Sequence, residues 1–128
     1  MAKLRNIETP RQNLISFIVG DSGLTSADEG KPCKMSATAD QVETLLADDD
    51  MQFVIDKVDV DADQVICKGP GEIVKLGYTG TAPTPGIVHL VGSATIGKVV
   101  AHGTPAFTDI LRHVIAVDTT NSELQVIL

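Results

Sequence analysis

Residues 53–68, with the sequence FVIDKVDVDADQVICK, decide the fold class of this chain. Two runs rich in valine and isoleucine flank a short acidic segment, and β-branched residues favour strands whereas clustered aspartates favour turns. The pattern therefore predicts a β-hairpin with strands at 53–60 and 64–68. The end of the chain, HVIAVDTTNSELQVIL (113–128), has the same order of features and predicts a second hairpin.

Similar short apolar runs recur along the rest of the chain, separated by Gly, Pro and Asp. Their number and spacing predict a mainly β fold, a small β-sandwich or barrel. Two segments, 38–46 and 104–111, favour short helices instead, because Thr38 and Gln41 have capping-box spacing and Pro105 suits the first turn of a helix. Both segments are also short enough to be loops. The predicted strands are 14–19, 32–35, 53–60, 64–68, 72–76, 87–91, 98–101, 113–117 and 124–128.

The two halves of the chain resemble each other. Val58-Asp59 matches Val117-Asp118 at an offset of 59 residues, and the flanking apolar pairs match at offsets of 60 and 61. Gly30-Lys31 also matches Gly97-Lys98. We therefore predict two similar β-hairpin halves that bury a shared face, with residues 75–92 as the crossover between them.

Length and composition fit a single globular domain. The chain has 128 residues, 43% hydrophobic and 21% charged, and no apolar run approaches the length of a membrane-spanning helix. Seventeen acidic against ten basic residues give a net charge of -7, which repels phosphate backbones, and only 3% of residues are aromatic. These values argue against membrane insertion and direct nucleic-acid binding. The first residues lack a secretory signal pattern, so we expect cytoplasmic synthesis.

The reactive residue types form no recognisable catalytic or metal-binding motif in the sequence. Cys33 and Cys67 are too far apart for a CxxC pair, and we predict core thiols, with a disulfide open only if their strands pair closely. His89, His102 and His113 lack metal-ligand spacing and are expected on strand surfaces. We therefore expect no enzyme activity, no bound metal and no cofactor.

Two acidic runs are expected to be turns. Residues 59–63 begin like a calcium-binding loop, but Gln64 stands where that loop needs glycine and Pro70 where it needs glutamate. The run therefore predicts an acidic hairpin turn. Residues 48–50, three consecutive aspartates, predict a solvated turn.

The N-terminal segment differs from the rest of the chain in charge and patterning. Residues 1–13 hold three basic residues and one acidic residue, Glu8, and they lack both helical and alternating apolar periodicity. We therefore divide the chain into an N-terminal arm, 1–19, and a single β-rich domain, 20–128. We expect the arm to dock on its own domain or to add to a partner's sheet edge.

Several phrases resemble those of the small head decoration proteins of tailed bacteriophages, also called capsid-stabilising or cement proteins. The likeness lies in short GKxVK-type and GxV-type strands, polar loops and a closing hairpin, and it covers roughly residues 14–128. The phrases are EGKPCKM (29–35), GEIVKL (71–76), IGKVV (96–100) and the ending from IAVDTT (115–120) to VIL (126–128).

This resemblance implies a structural virion protein that binds the outer surface of the capsid, is not an enzyme and stabilises the shell against the pressure of packaged DNA. It implies a homotrimer at the local symmetry axes of the shell, assembled in the host cytoplasm, with the arm contacting the major capsid protein. We also expect neighbouring subunits to cover the edges at 87–91 and 126–128, which have few charged or proline residues to protect them. The predicted capsid-binding residues are Lys3, Leu4, Arg5, Ile7, Arg11, Leu14 and Ile15.

Other functional classes stay open at this point. Lipoyl and biotinyl carrier domains also consist of two quasi-symmetric β halves, and they present a modified lysine at a hairpin tip. Asp56-Lys57-Val58 is the nearest match to such a site, and it lies inside a predicted strand. Another small β binding module, or a β-barrel enzyme whose site forms only between subunits, would also fit the sequence.

Overall fold

The computed structural model describes residues 13–103 and 111–128. Within these residues, eleven strands form two sheets, accompanied by one short 3-10 helix at Ser26–Asp28. The predicted mainly β sandwich or barrel fold is therefore confirmed. The strands are β1 (Leu14–Phe17), β2 (Pro32–Met35), β3 (Val42–Thr44), β4 (Phe53–Asp59), β5 (Gln64–Lys68), β6 (Ile73–Tyr78), β7 (Gly86–Val88), β8 (Leu90–Gly92), β9 (Lys98–Ala101), β10 (Arg112–Asp118) and β11 (Glu123–Ile127).

Each sheet has its own apolar core. The first sheet has the strand order β1-β5-β4-β2-β3, and the second has the order β7-β10-β11-β6-β9-β8. All pairings are antiparallel except the one between β6 and β9. The main buried residues of the first core are Phe17, Val19, Leu24, Cys33, Val42, Ile55, Val58, Val65 and Cys67. Those of the second are Leu45, Met51, Val54, Val74, Leu76, Tyr78, Leu90, Val99, Val114, Leu124, Val126 and Leu128.

The two sheets share a four-stranded repeat. The unit β1-β5-β4-β2 of the first sheet corresponds to β6-β11-β10-β7 of the second. Adding 59 to the residue numbers of β1, β5 and β4 converts their register into that of β6, β11 and β10, so that the pairing of Ile15 with Cys67 becomes that of Val74 with Val126. The fourth strand, β2, corresponds to β7 at an offset of 55 instead, because Pro32 pairs with Val54 and Ile87 with His113. The predicted two similar halves are thus present as one repeat in each sheet, but the prediction that they bury a shared face is wrong, because each sheet has its own core.

The two hairpins correspond even in their irregularities. The register shifts at Asp56 in β4 and at Ile115 in β10, which are 59 residues apart. Each hairpin turn ends on a residue in the left-handed region, Asp63 at φ 53° and Ser122 at φ 54°. A bulge fixes where a strand bends, and therefore both repeats curve at the same point.

The sequence comparison identified the repeat but misaligned parts of it. Its offset of 60 matched buried Ile55 with exposed Ile115, whereas the structural counterpart of Ile55 is buried Val114. A shift of one residue exchanges the two faces of a strand. The match of Gly30-Lys31 with Gly97-Lys98 is wrong as well. Gly97 leads into β9, whereas the strand that corresponds to β2 is β7. The predicted crossover at 75–92 is also wrong, because β6 and β7 belong to the second repeat and residues 69–72 connect the two.

The predicted helix at 38–46 is wrong. The structure has a turn there, followed by β3, which pairs with β2. Asp40 adopts a left-handed conformation at φ 58°, which ends any helix, and the amide of Ser36 donates to the carbonyl of Gln41 to close the turn. Val42 is buried while Glu43 is exposed, the alternation of a strand. The other predicted helix, 104–111, lies outside the described residues except for Leu111.

Of the two segments predicted to form sheet edges that neighbouring subunits cover, 87–91 and 126–128, only part of the first lies at an open edge of the described sheet. Residue 127 ends β11, which lies inside the sheet between β10 and β6, so the prediction for 126–128 is wrong. The segment 87–91 is divided between two strands at opposite ends of the second sheet. Among the described residues β7 is an edge strand, whereas Asp50 of the same chain forms a bridge with Val91 on β8.

Residues 45–52, the linking loop, attach the first sheet to the second. Leu45 and Met51 insert their side chains into the second core. The amide of Gly92 on β8 donates to the carbonyl of Asp49 at 2.8 Å, and the carbonyl of Gly92 accepts from the preceding residue of the loop at 2.9 Å. The linking loop therefore lies along β8 in the manner of an extra strand.

Candidate interaction surfaces

The residues predicted to bind the capsid fall into two groups. Leu14 and Ile15 are the first residues of β1, at one end of the first sheet. The others, Lys3, Leu4, Arg5, Ile7 and Arg11, lie outside the described residues.

Asn13 fixes the start of β1 to the body of the protein. Its carbonyl accepts a hydrogen bond from the amide of Gly69 at 2.8 Å, and its side-chain amide donates to the carbonyl of Pro70 at 2.7 Å. Both partners belong to the connection between the two repeats. Asn13, the residue next to the basic segment in sequence, is therefore fixed at one corner of the first sheet, beside this connection.

Leu14 and Ile15 lie on opposite faces of β1. Ile15 packs against the first core, together with its neighbour Phe17, whereas the side chain of Leu14 is 39% exposed. Ser16 and Ile18 are also exposed. Leu14 is thus accessible to a partner, while Ile15 contributes to the core. Residues 14–19, which the sequence division placed in the arm, include this strand of the sheet.

The outer edge of β1 has no strand beside it among the described residues. In the second repeat, β9 covers the corresponding edge of β6. An uncovered edge has main-chain donors and acceptors that another strand can pair with. The edge of β1 is therefore a candidate site for strand addition.

His89 is buried, contrary to the prediction of a surface position. It lies between β7 and β8, where its Nε2 is 2.6 Å from a carboxylate oxygen of Asp50 and its ring meets His102 edge-on. Arg112 donates to the carbonyl of Met51 at 2.9 Å, and burial lowers the pKa of its guanidinium. These contacts join the linking loop to the second sheet. His102 and His113 are exposed.

The two acidic runs behave differently. The hairpin turn predicted at 59–63 is present, with the carboxylate of Asp59 accepting from the amide of Ala62 at 3.1 Å. The run at 48–50 is not merely a solvated turn, because two of its carboxylates have specific partners. Asp50 contacts His89, and Asp49 contacts the ammonium of Lys34 at 2.9 Å.

Cys33 and Cys67 are free thiols in the core of the first sheet. Their sulfurs are 3.8 Å apart and both residues are fully buried. The contact with Cys67 and the burial raise the pKa of the Cys33 thiol. Their strands, β2 and β5, lie on either side of β4 and do not pair, so their main chains are separated by two strand spacings, about 9–10 Å. A disulfide needs a closer approach of the backbones, and the prediction of core thiols is confirmed.

Lys57, the nearest match to a carrier lysine, lies on β4 and not at a hairpin tip. Its position pairs with Ile66 on β5, and the turn of this hairpin begins after Asp59. Its neighbour Asp56 is the bulge residue. A lysine within a paired strand lacks the reach of one at a turn, so this geometry does not favour the carrier function.

Across residues 13–103 and 111–128, no group of three or more His, Cys, Asp or Glu side chains is arranged to hold a metal ion. None of the helices in this part of the chain is long and apolar enough to cross a membrane. No protein-family model matches the chain, and no curated protein or solved structure is detectably similar to it.

Proposed function

We propose that this chain is a structural virion protein, a decoration protein that binds the outer surface of a tailed-phage capsid and stabilises the shell. The observation that carries the proposal is the position of the β1 edge. A strand edge that no other strand of residues 13–103 and 111–128 covers, with exposed Leu14 and Ile18 beside it, directly follows a segment that is basic in an otherwise acidic chain. The phrases shared with decoration proteins support the same function.

Charge and strand addition have separate roles in the proposed binding. The basic side chains of residues 1–13 attract the arm to an acidic capsid surface over a distance of about 10 Å, the screening length at moderate salt. Main-chain groups of the β1 edge then pair with a strand of the major capsid protein. Leu14 and Ile18 lose exposed apolar surface in the contact, which contributes to the binding free energy. The long-range electrostatic attraction weakens as the salt concentration rises. The main-chain hydrogen bonds and the burial of apolar surface depend much less on salt.

Removal of residues 1–10 tests the arm. We expect the truncated protein to melt at nearly the same temperature, because Ile15 is the first of the described residues that packs against a core. Its affinity for purified shells should fall tenfold or more, about 1.4 kcal/mol. Co-sedimentation with shells and thermal unfolding give the two quantities. Unchanged affinity together with a much lower melting temperature would show that the arm only stabilises its own subunit.

Substitutions on the edge test the second contact. Leu14→Asp and Ile18→Asp should each weaken shell binding and leave the fold intact, because both side chains are exposed. Val60→Asp is the matched control, since Val60 is 55% exposed but lies in the hairpin turn. Equal affinity of all three variants would contradict a role for the β1 edge.

A further inference from the structure

The main chain of β1 faces β5 and the outer edge of the sheet in turn. In an antiparallel pair, the amide and carbonyl of one residue point to the neighbouring strand, and those of the next residue point away from it. The carbonyl of Asn13 accepts from the amide of Gly69, on the β5 side, at 2.8 Å. Leu14 and Ser16 alternate with Asn13 along the strand, and they therefore turn their amides and carbonyls toward the outer edge.

The outer edge of β1 ends at Ile18. The amide of this residue donates to the carbonyl of Asp40 at 2.8 Å, so it is already paired. Within residues 13–103 and 111–128, no strand lies beside β1 on this side. The main-chain groups that another strand can reach are therefore those of Leu14 and Ser16, which offer a donor and an acceptor each.

The end of this edge is acidic. The lining of a cleft there includes Ser16, Ile18, Asp40 and Asp63, and it contains no lysine or arginine. One carboxylate oxygen of Asp63 accepts from the amide of Gly20 at 2.8 Å. Neither carboxylate forms an ion pair with a lysine, arginine or histidine of the described residues. This acidic cleft therefore attracts a basic side chain and repels a carboxylate.

Strand geometry relates the acidic cleft to the side chains of a partner strand. Residues directly opposite each other on neighbouring strands share a face, and side chains on one face recur at every second residue. The residue opposite Ser16 thus lies beside the acidic cleft, and the residue two positions away lies beside exposed Leu14. A partner strand that fits both has a basic residue and an apolar residue with one residue between them.

We propose that the β1 edge binds an extended strand that pairs with the main chain of Leu14 and Ser16 and places a lysine or arginine in the acidic cleft. This inference rests on the proposed function, in which the β1 edge contacts the capsid, and it gives the chemistry of the strand that is bound. Main-chain pairing provides affinity for an extended segment, and the acidic cleft selects among such segments by charge. A strand with an acidic residue at this position is bound more weakly.

Proline substitutions test the main-chain pairing. Leu14→Pro and Ser16→Pro each remove an amide that faces the outer edge, and they leave the main-chain hydrogen bonds to β5 in place. Thr44→Pro on β3 is the matched control. The carbonyl of Gln41 accepts from the amide of Ser36, so the amide of Thr44 faces the outer edge of β3. We expect both β1 variants to bind purified shells about tenfold more weakly than the wild type, and Thr44→Pro to bind like the wild type.

A pair of peptides tests the selection by charge without shells. The peptides TVTVTKT and TVTVTET, acetylated and amidated, differ only in the charged residue. Each is titrated onto the isotope-labelled full chain, and the amide signals of Leu14 and Ser16 are followed by NMR. We expect the lysine peptide to shift both signals with an affinity about tenfold above that of the glutamate peptide. Asp40→Asn should reduce this preference severalfold, whereas Asp61→Asn, at an exposed aspartate outside the acidic cleft, should preserve it.

Equal affinity for the two peptides, or signals of Leu14 and Ser16 that neither peptide shifts, would overturn the proposal. Signals that respond only after residues 1–10 are removed would show that the arm of this chain or of a second copy occupies the edge, and would overturn it too. If the lysine peptide binds but shells do not, the decoration function is refuted and the strand site stands. If shells bind the two β1 proline variants as tightly as the wild type, the strand site is refuted and the decoration function stands.

Discussion

At the scale of single residues, Gly92 determines how closely the linking loop approaches β8. A methyl group on Gly92 would overlap the main-chain oxygen of Leu46 and press on the side chain of Leu45. Both the amide and the carbonyl of Gly92 form hydrogen bonds with the main chain of the linking loop. The loop therefore has little freedom to move away from β8.

We expect Gly92→Ala to lower the free energy of unfolding by about 1–3 kcal/mol, the usual cost of overfilling a packed site. Gly103→Ala is the control, since no atom of the described residues lies within 4 Å of the added carbon there and its φ is not positive. Urea unfolding of the two variants measures the difference. Equal stability of both would contradict the close contact at β8.

The ion pair between Asp49 and Lys34 makes stability depend on pH. The hydrogen bond from Lys34 and the one from the amide of Leu46 lower the pKa of Asp49. The carboxylate therefore holds its proton less tightly in the folded state. Its contribution is complete above the ordinary aspartate pKa of about 3.9 and is lost as the pH falls through the lower folded value.

Asp49→Asn should accordingly cost about 0.5–1 kcal/mol at neutral pH, and the difference from the wild type should vanish as the pH falls below the lowered pKa of Asp49 in the folded state. Unfolding free energies measured across this range test the sign. In a Lys34→Gln background, Asp49→Asn should cost less. A cost that grows on acidification would contradict the pairing.

Little of this residue-level pairing could be predicted from the sequence. The contact between Asp50 and His89 joins residues 39 positions apart, and no local pattern relates them. The same is true of Cys33 and Cys67, whose sulfurs meet across an intervening strand. The sequence correctly placed the cysteines in a core, because each lies in a segment with the pattern of a strand, but it predicted the wrong environment for His89.

At the scale of elements, the two hairpin turns use the same backbone with different side chains. Asp63 and Ser122 both adopt left-handed conformations, which cost a non-glycine residue roughly 1 kcal/mol. The carboxylate of Asp63 also accepts from the amide of Gly20 at 2.8 Å. Removing the side chain therefore has different consequences in the two turns.

We expect Ser122→Gly to raise the free energy of unfolding by about 0.5–1 kcal/mol through relief of backbone strain. Asp63→Gly relieves the same strain but loses the hydrogen bond to Gly20, so its effect should be neutral or destabilising. Chemical denaturation of the two variants separates them. A gain in stability for Asp63→Gly as large as that for Ser122→Gly would contradict this account of the turns.

The elements that could be predicted are those whose pattern is local. Both hairpins have alternating apolar residues and turn-forming sequences, and each was expected close to its observed position. The helix predicted at 38–46 failed because capping-box spacing at Thr38 and Gln41 also fits a turn, and tertiary packing of Val42 decided in favour of a strand. The division of 87–91 into β7 and β8 follows from pairing with different strands, which a single run of residues does not reveal.

At the scale of the whole molecule, the two repeats are alike in fold but unlike in surroundings. The first has an added strand, β3, beside β2, and the second has β9 and β8 added beside β6. The uncovered edges within the described residues are thus on β1, β3 and β7. The similarity between the two halves of the sequence identified the repeat. The strand order and the two separate cores could not be predicted from the sequence, because they depend on pairing between residues far apart in the chain. Of the predicted binding residues, the structure leaves Leu14 accessible and places Ile15 against the core.

The proposed decoration function is tested most directly by titrating the purified protein onto shells of its phage, before and after shell expansion, and measuring bound protein and the temperature at which the shell breaks open. We predict saturable binding to at least one form and a higher rupture temperature of the occupied shell, because a ligand that binds the assembled state stabilises it. Absence of saturable binding to both forms would contradict the central claim.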